Sequence, residues 1–246
     1  MPWDEGAYTD TLSKKLTVGL LLDDGVVEPH PCITRVVQAV ADLLKGDGHD
    51  VFPWNSDMHV HCIDLMDEYY TVDGGEDIRR DVEAGGEPFI PHVEKLLSRG
   101  KTISIFEYWQ LNKMKKALRQ EYLKKWKKVT SPRTGKEADV VIMPVMPHPA
   151  VPHQACSWVG YTKVWNFLDY SAMSMPAGTV EAQDCEVPMS GEPRNPMDEW
   201  NRQVWKEHGQ DMAKMKLPIG VQIIGRSLEE EKVLAVAQVI EKLLKK

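Results

Sequence analysis

The sequence predicts an α/β fold in which buried strands form a sheet flanked by helices. Short apolar runs bounded by turn residues alternate with amphipathic segments of helical period. A strand–helix–strand unit lies near the start, and such crossovers favour parallel pairing. The strands are apolar almost throughout, which is typical of a sheet covered on both faces.

The first elements follow from local patterns. Residues 1–15 are polar and predict a lead-in segment, while the apolar run 16–22 predicts the first strand. That run ends at Asp23-Asp24-Gly25, a turn signal. Apolar residues at helical spacing then predict a helix over 33–44, and 51–54 predicts the second strand.

The middle of the chain contains one long helix and two further strands. Ser104 and Glu107 have the spacing of a capping box, which predicts a helix from there to about residue 128. The run 138–144 predicts a third buried strand, and helical character resumes over 158–167. A fourth short strand is predicted at 171–176.

The last segment begins with a polar insertion at 181–216, predicted to be surface loop with one helix near 200–208. A fifth strand is predicted at 219–225. Ser227 and Glu230 have capping-box spacing, so the final helix is predicted to begin there. These elements make residues 16–246 one domain after the lead-in.

Composition excludes several classes of protein. The 246 residues include 30 Lys+Arg and 37 Asp+Glu, a net charge of −7, which argues against a general nucleic-acid binder. No apolar run is long enough to span a membrane, and the N-terminus lacks the pattern of a signal peptide. The four cysteines are far apart, so reduced thiols and a cytoplasmic location are expected.

Spacing alone does not define a catalytic site. The segment 59–62 (His-Val-His-Cys) and the group His148, His153 and Cys156 do not match a known zinc spacing, so no metal site is expected. A pair of Cys156 with one of these histidines remains an alternative hydrolase site. No Gly-x-Ser-x-Gly elbow and no phosphate-binding glycine loop is present. Asp23-Asp24 is better explained by turn formation than by catalysis.

A basic face follows the long predicted helix. Lysine and arginine residues recur over 113–128. Such a face can bind phosphates or an acidic partner, but the acidic total favours a solvated helix surface.

Four segments together resemble a known family. They are 16–31 with its Leu-Leu-Leu-Asp-Asp-Gly run, 138–147 (Ala-Asp-Val-Val-Ile-Met-Pro-Val-Met-Pro), 165–178 with Ser-Met-Pro-Ala-Gly, and 217–225 (Leu-Pro-Ile-Gly-Val-Gln-Ile-Ile-Gly). Their order and spacing resemble the C-terminal half of the amidase signature family, in its fungal acetamidase-like branch. The resemblance covers most of residues 16–246.

The resemblance implies a fold and an activity. The fold is a large mixed sheet with helices on both sides, so this chain is expected to hold a partial mixed β-sheet flanked by helices. The activity is hydrolysis of a small carboxylic amide to an acid and ammonia or an amine. The family uses a serine nucleophile, a bridging serine in a cis peptide bond and a lysine base, without metal or organic cofactor. Backbone N–H groups hold the oxyanion.

Those catalytic residues have no match in this chain. The glycine/serine-rich signature, the serine pair and the lysine belong to the family's N-terminal half, and the chain is expected to begin after them. No serine here inherits the nucleophile role by motif, so no catalytic residue is assigned and the chain alone is predicted to be inactive.

The resemblance does assign candidate pocket residues. The loop after the third strand and the segment 165–170 are similar to parts that line the substrate side in the family. The candidates are Met143, Pro144, Met146, Trp165, Asp169 and Tyr170. Met143, Trp165 and Phe167 are equally suited to the hydrophobic core.

Two further expectations concern partners. A partial sheet exposes strand edges that are interior in the whole fold, so the chain is expected to be marginal, aggregation-prone or dependent on a partner. It is then a degenerate copy, a truncated chain or half of a split amidase. The alternative is a non-catalytic binding module that retains the acyl pocket or docks on a full-length amidase through its exposed sheet edge, with 181–216 and 113–128 as candidate surfaces. A homo-oligomer is also expected as a possible assembly.

Overall fold

The computed structural model describes residues 2–189 and 191–246, and at its centre is a mixed five-stranded sheet. The strand order is β2-β1-β3-β5-β4. β1 is parallel to β2 and β3, whereas β5 is antiparallel to both β3 and β4. The strands are β1 Thr17–Leu20, β2 Asp50–Pro53, β3 Val140–Pro144, β4 Ala172–Thr179 and β5 Pro218–Ile224. The predicted mixed sheet and its five strands are confirmed.

Helices cover both faces of this sheet. They are α1 Glu5–Ser13, α2 Pro31–Gly46, α3 His59–Tyr69, α4 Glu76–Gly85, α5 Pro91–Leu97, α6 Ile105–Lys128, α7 Gly160–Leu168, α8 Pro196–Lys214 and α9 Glu230–Leu244, with a 3₁₀ helix at Ala182–Glu186. The lead-in segment contains α1. Asp4 caps α1 by accepting from the Ala7 N–H at 3.0 Å, and the helix packs against α9.

The central strand β3 divides the core into two layers. Val140 and Ile142 face α2 and α9, among residues such as Val37 and Val236. The alternate residues Val141 and Met143 face the opposite layer with α3, α6 and α7. Successive side chains of β3 point into two different layers, and both layers are apolar, so β3 is apolar at every position.

The 181–216 segment contributes to the core as well as to the surface. Its helix α8 is longer than the predicted 200–208 because Asn195 accepts from two N–H groups of the first turn and Pro196 opens the helix. α8 buries Trp205 and Met212 in a third cluster that includes Ile33.

One of the two predicted capping boxes is present. The Ser104 hydroxyl accepts from the Glu107 N–H at 3.2 Å, and the Glu107 carboxylate accepts from the Ser104 N–H at 2.7 Å. The second prediction is wrong. α9 begins at Glu230, and the Ser227 hydroxyl donates instead to the Asp169 carbonyl. Leu228, at φ 65°, turns the backbone between Ser227 and the helix.

The turn after β1 is organised by a buried carboxylate. Asp24 accepts from the N–H groups of Val26 (2.8 Å) and Val27 (2.9 Å) and from the Trp158 indole (2.8 Å). Gly25 has φ 82°, and a Cβ there would lie 2.7 Å from the Ser56 hydroxyl. The turn-forming role predicted for Asp23-Asp24 is confirmed. Burial raises the pKa of Asp24 to about 6.

The residues that lead into α8, together with its first turn, hold this turn in place. Arg194 donates to both oxygens of Asp23 at 2.8 and 2.6 Å. Asn195 donates to the Val26 carbonyl at 2.7 Å, and Asp198 accepts from the Glu28 N–H at 2.7 Å.

Strand β4 lies at one edge of the sheet. Among the described residues its ladder partner is β5, and a register shift interrupts the pairing between Pro176 and Gly178. Ala172, Ser174, Pro176 and Thr179 are exposed. We call the unpaired side of Ala172–Thr179 the β4 edge.

A buried amide joins two layers at the end of β3. Gln222 of β5, 2% exposed, donates to the Pro144 carbonyl at 2.8 Å and the Tyr161 carbonyl at 2.9 Å. One side chain therefore ties β3, β5 and α7 together.

The Asp24 site predicts a pH-dependent stability. Because the folded-state pKa is raised from 3.8 to about 6, folding favours the protonated acid. Asp24 therefore contributes about 3 kcal/mol to the free energy of unfolding below pH 3.8. This contribution is lost as the pH rises to about 6 and the carboxyl group ionises. Urea unfolding at several pH values should show that the wild type loses stability over this range relative to Asp24→Asn, because carboxyl groups with lowered pKa values, such as Asp47 and Asp50, contribute equally to both proteins. Asp10→Asn, at an exposed position, should behave as the wild type does. The same pH dependence in all three proteins would contradict the assignment.

Removing the Gln222 amide should destabilise the fold. Gln222→Met keeps the volume but leaves two carbonyls without their donor, which costs about 1–3 kcal/mol. Chemical denaturation measures this loss. Gln210→Met, at an exposed site on α8, serves as the control and should change stability by less than about 0.5 kcal/mol. Equal losses of stability in the two variants would show that the two Gln222 hydrogen bonds make no specific contribution to stability.

Candidate substrate-binding site

An apolar cleft of about 460 Å³ lies where β3 ends. We call it the Met146 cleft. Its lining comes from the loop after β3 (within 145–151), from β4 (174–176), from the start of β5 (218–220) and from Ile33 of α2.

The strand register brings these segments together. Pro144, the last residue of β3, pairs with Val221 of β5, which in turn pairs with Met175 of β4. The cleft therefore lies at the carboxyl end of β3, the position where ligands bind in open α/β sheets. Gly220 permits the close approach, because a Cβ there would lie 3.2 Å from Val145 Cγ2 and 3.3 Å from the Met175 carbonyl oxygen.

The lining of the Met146 cleft carries no charged side chain. Its polar side chains are Ser174 and His148. His148 is buried and its Nδ1 lies 2.7 Å from the Pro149 carbonyl, to which it donates. Burial lowers the pKa of His148, so its ring is neutral at physiological pH. Such a surface can hold an apolar group and exclude water from it.

The predicted pocket residues divide between this cleft and the core behind it. Met146 lines the cleft, half-buried. Pro144 is buried just behind it, and its carbonyl accepts from Gln222. Met143 and Trp165 lie deeper in the core, where the indole N–H donates to the Met143 sulfur at 3.1 Å.

Tyr170 and Asp169 lie near the other end of β3. The Tyr170 ring stacks on Trp165 with centroids 6.1 Å apart, and burial raises the pKa of its phenol to about 12. Asp169 is exposed and pairs with Arg119 at 2.8 Å. Tyr170 lines a second cleft, of about 690 Å³, between α6 and the turn that leads into α9. We call it the α6 cleft.

The Met146 cleft includes residues that the sequence did not single out. Ile33, Ser174, Met175 and Pro218 come from three different elements, α2, β4 and β5. In the sequence these residues show only the patterns of strands and a helix. The order of the strands in the sheet brings them around one cleft.

The alternative chemical groups do not assemble. Within residues 2–189 and 191–246, no group of three His, Cys, Asp or Glu side chains could hold a metal ion. His59 is buried in α3 with its Nε2 3.0 Å from the Tyr122 hydroxyl, whereas His61 is exposed. Burial raises the pKa of the Cys156 thiol, which opposes the thiolate that a nucleophilic cysteine needs.

None of the described helices combines the length and apolarity required to cross a bilayer.

Comparisons with known proteins identify the family. The Amidase family matches residues 6–234. Amidase 1 of Gibberella moniliformis is 47% identical over 246 residues, which are 99% of this chain and 46% of that protein. Acetamidase of Aspergillus oryzae is 36% identical, over 99% of this chain and 45% of its own length. A solved fatty acid amide hydrolase superposes with a TM-score of 0.83 at 22% identity, covering 100% of this chain and 42% of that one.

These matches define both the relationship and its extent. The chain spans about half the length of the curated relatives it matches. The structural likeness, at 22% identity, supports the fold alone. The family match extends over nearly the whole sequence and agrees with the resemblance carried by the four segments. The chain therefore belongs to the Amidase family.

Proposed function

We propose that this chain forms the acyl-side wall of an amide-hydrolysing site whose attacking serine, bridging serine and lysine lie outside these 246 residues. The observation that carries the proposal is the Met146 cleft, which is apolar and uncharged and lies at the carboxyl end of β3 beside the β4 edge. The relatives named amidase and acetamidase support amide hydrolysis as the reaction.

The cleft residues act by position rather than by covalent chemistry. An apolar wall holds the acyl group and excludes water, which strengthens the electrostatic interactions that stabilise an oxyanion. Ser174 is the serine in the lining, and a serine needs a base to attack at neutral pH. The Nε2 atom of His148 is buried without a hydrogen-bond partner among the described residues, so it does not activate Ser174.

The pocket role of the six predicted residues follows the same proposal. Met146 would contact the acyl group directly. Met143, Pro144 and Trp165 support the cleft from behind, through the Trp165–Met143 and Gln222–Pro144 hydrogen bonds. Tyr170 would act only through its packing on Trp165, since it lies near the opposite end of β3. Asp169 is exposed and paired with Arg119, so it would not contact the acyl group.

The β4 edge supports a partner. Met173, half-buried on β4, and Leu234 of α9 line a groove beside this edge, so apolar surface accompanies the unpaired backbone. A segment that adds strands here would bring its own residues against the Met146 cleft. The second candidate function rests on the same edge: a non-catalytic module that docks on a full-length amidase or on a second copy.

Location and domain organisation complete the proposal. The four cysteines are free thiols, which supports a reducing, cytoplasmic environment. Residues 16–246 form one partial domain in this proposal, and α8 of the 181–216 insertion packs on its core.

Complementation tests the proposed function. We expect the purified chain alone to release no ammonia from acetamide or benzamide. Co-expression with the part of Amidase 1 that this chain does not match should give a complex that hydrolyses them. Ammonia release measures both results. The matched control replaces this chain by its aligned region from Amidase 1.

Two results would contradict the proposal. Turnover by the chain alone at an enzymatic rate would place the nucleophile within these 246 residues. Failure to form an active complex, when the control pair succeeds, would favour the docking module. Light scattering and co-purification with a full-length amidase would then test that second function.

The size of the Met146 side chain should control acyl preference. Met146→Ala enlarges the cleft, so the ratio of kcat/KM for hexanamide to that for acetamide should rise about tenfold in the complemented enzyme, since one or two methylene groups in an apolar pocket are worth about 1–3 kcal/mol. Met114→Ala, at an exposed site on α6, is the control and should leave the ratio unchanged. An unchanged ratio in both variants would remove Met146 from the acyl site.

A further inference from the structure

The α6 cleft concentrates positive charge in an acidic protein. Its lining includes five cationic side chains, namely Lys115, Lys116, Arg119, Lys127 and Arg226, and one carboxylate, Glu229. The whole chain carries a net charge of −7. Because a concave surface with an excess of one charge sign focuses the electric field, this cleft should attract anions more than the rest of the surface does.

The two arginines are held in place by carboxylates. Arg119 donates to Asp169 at 2.8 Å from one wall, and Arg226 donates to Glu229 at 2.8 Å from the other. Arg226 also lies 3.4 Å from Glu137. These pairs orient two guanidinium groups, which suit planar, bidentate recognition of carboxylate or phosphate.

The lysines of the cleft lack this compensation. Among the described residues Lys115, Lys116 and Lys127 form no ion pair within 4.0 Å. Lys115 instead places its ammonium 4.7 Å from the Tyr69 ring centroid. Lys116 and Lys127 are exposed, lie about three turns apart on the same side of α6 and both line the cleft. Lys116 and Lys127 are therefore the cations of the cleft that are exposed and have no ion pair among the described residues.

The shape of the cleft favours a small ligand. Its volume is about 690 Å³, within the range of small-molecule sites. Leu168 and Tyr170 form an apolar part of the lining, while Asn112 and Ser227 add neutral hydrogen-bonding groups. A ligand with an organic body and two or more negative charges matches both parts.

We propose that the α6 cleft is a binding site for a small polyanion, such as a phosphate ester or a polycarboxylate, that is separate from the Met146 cleft. The two clefts share no residue and lie near opposite ends of β3. The site does not depend on the proposed amidase function, because its cations lie on α6 and the turn before α9.

Calorimetric titration of the chain at low ionic strength tests the site. Pyrophosphate and citrate are the probes, so that phosphate and carboxylate recognition are measured separately, and a hexaglutamate peptide tests an extended acidic partner. We expect saturable 1:1 binding of pyrophosphate or citrate. Lys116→Gln/Lys127→Gln should weaken it about tenfold or more, because charge-assisted contacts are removed.

A matched variant separates the cleft from general charge. Lys113→Gln/Lys124→Gln removes two exposed lysines of the same helix that do not line the cleft, and it should weaken binding less than about twofold. Circular dichroism confirms that both variants keep the fold. In a measurement that needs no variant, the bound probe should protect Lys116 and Lys127 from acetylation and leave Lys113 and Lys124 reactive.

Several results would overturn the site. They are the absence of saturable binding by both small anions, equal losses in the two double variants, and protection spread over all four lysines. Binding of hexaglutamate without either small anion would assign the surface to an acidic protein partner and reject a small-ligand site.

Discussion

The structure depends on the position of β3 between a parallel and an antiparallel neighbour. Val141 pairs with Gly19 of β1 on one side and with Ile224 of β5 on the other. Both faces of β3 are covered, so a shift of one residue would move Val140 and Ile142 into the layer of Val141 and Met143. Because both layers are apolar, the fit of side chains within each layer fixes the register, and the register determines which segments meet at Pro144.

Much of the fold could be predicted because its signals are local. The apolar run of β3 and the reciprocal pair Ser104–Glu107 are complete within a few residues of sequence. The start of α9 could not be predicted in this way. Ser227 and Glu230 have the spacing of a cap, but Asp169, distant in sequence, takes the Ser227 hydroxyl. A long-range hydrogen bond thus takes the place of the local one.

The candidate site was predictable only in part, because a cleft depends on sheet order. The family resemblance selected the loop after β3, which contributes Met146 to an apolar cleft. It also selected Tyr170, which follows α7 and lies near the other end of β3. Nothing in the sequence pairs Met175 with Val221, and that pairing brings β4 to the cleft. Sequence therefore indicated the segments, and the strand register determined which of their residues face the same space.

The interruption of β4 limits what can be added to it. Pro176 has no N–H to donate, and the ladder shifts register between Pro176 and Gly178. Ala172–Pro176 precedes this break in regular register, and Pro176 has no N–H, so an incoming strand gains few main-chain bonds. A partner at this edge would therefore depend more on side-chain contacts than on backbone pairing. The same break hinders copies of the chain from stacking edge to edge into a continuous ribbon.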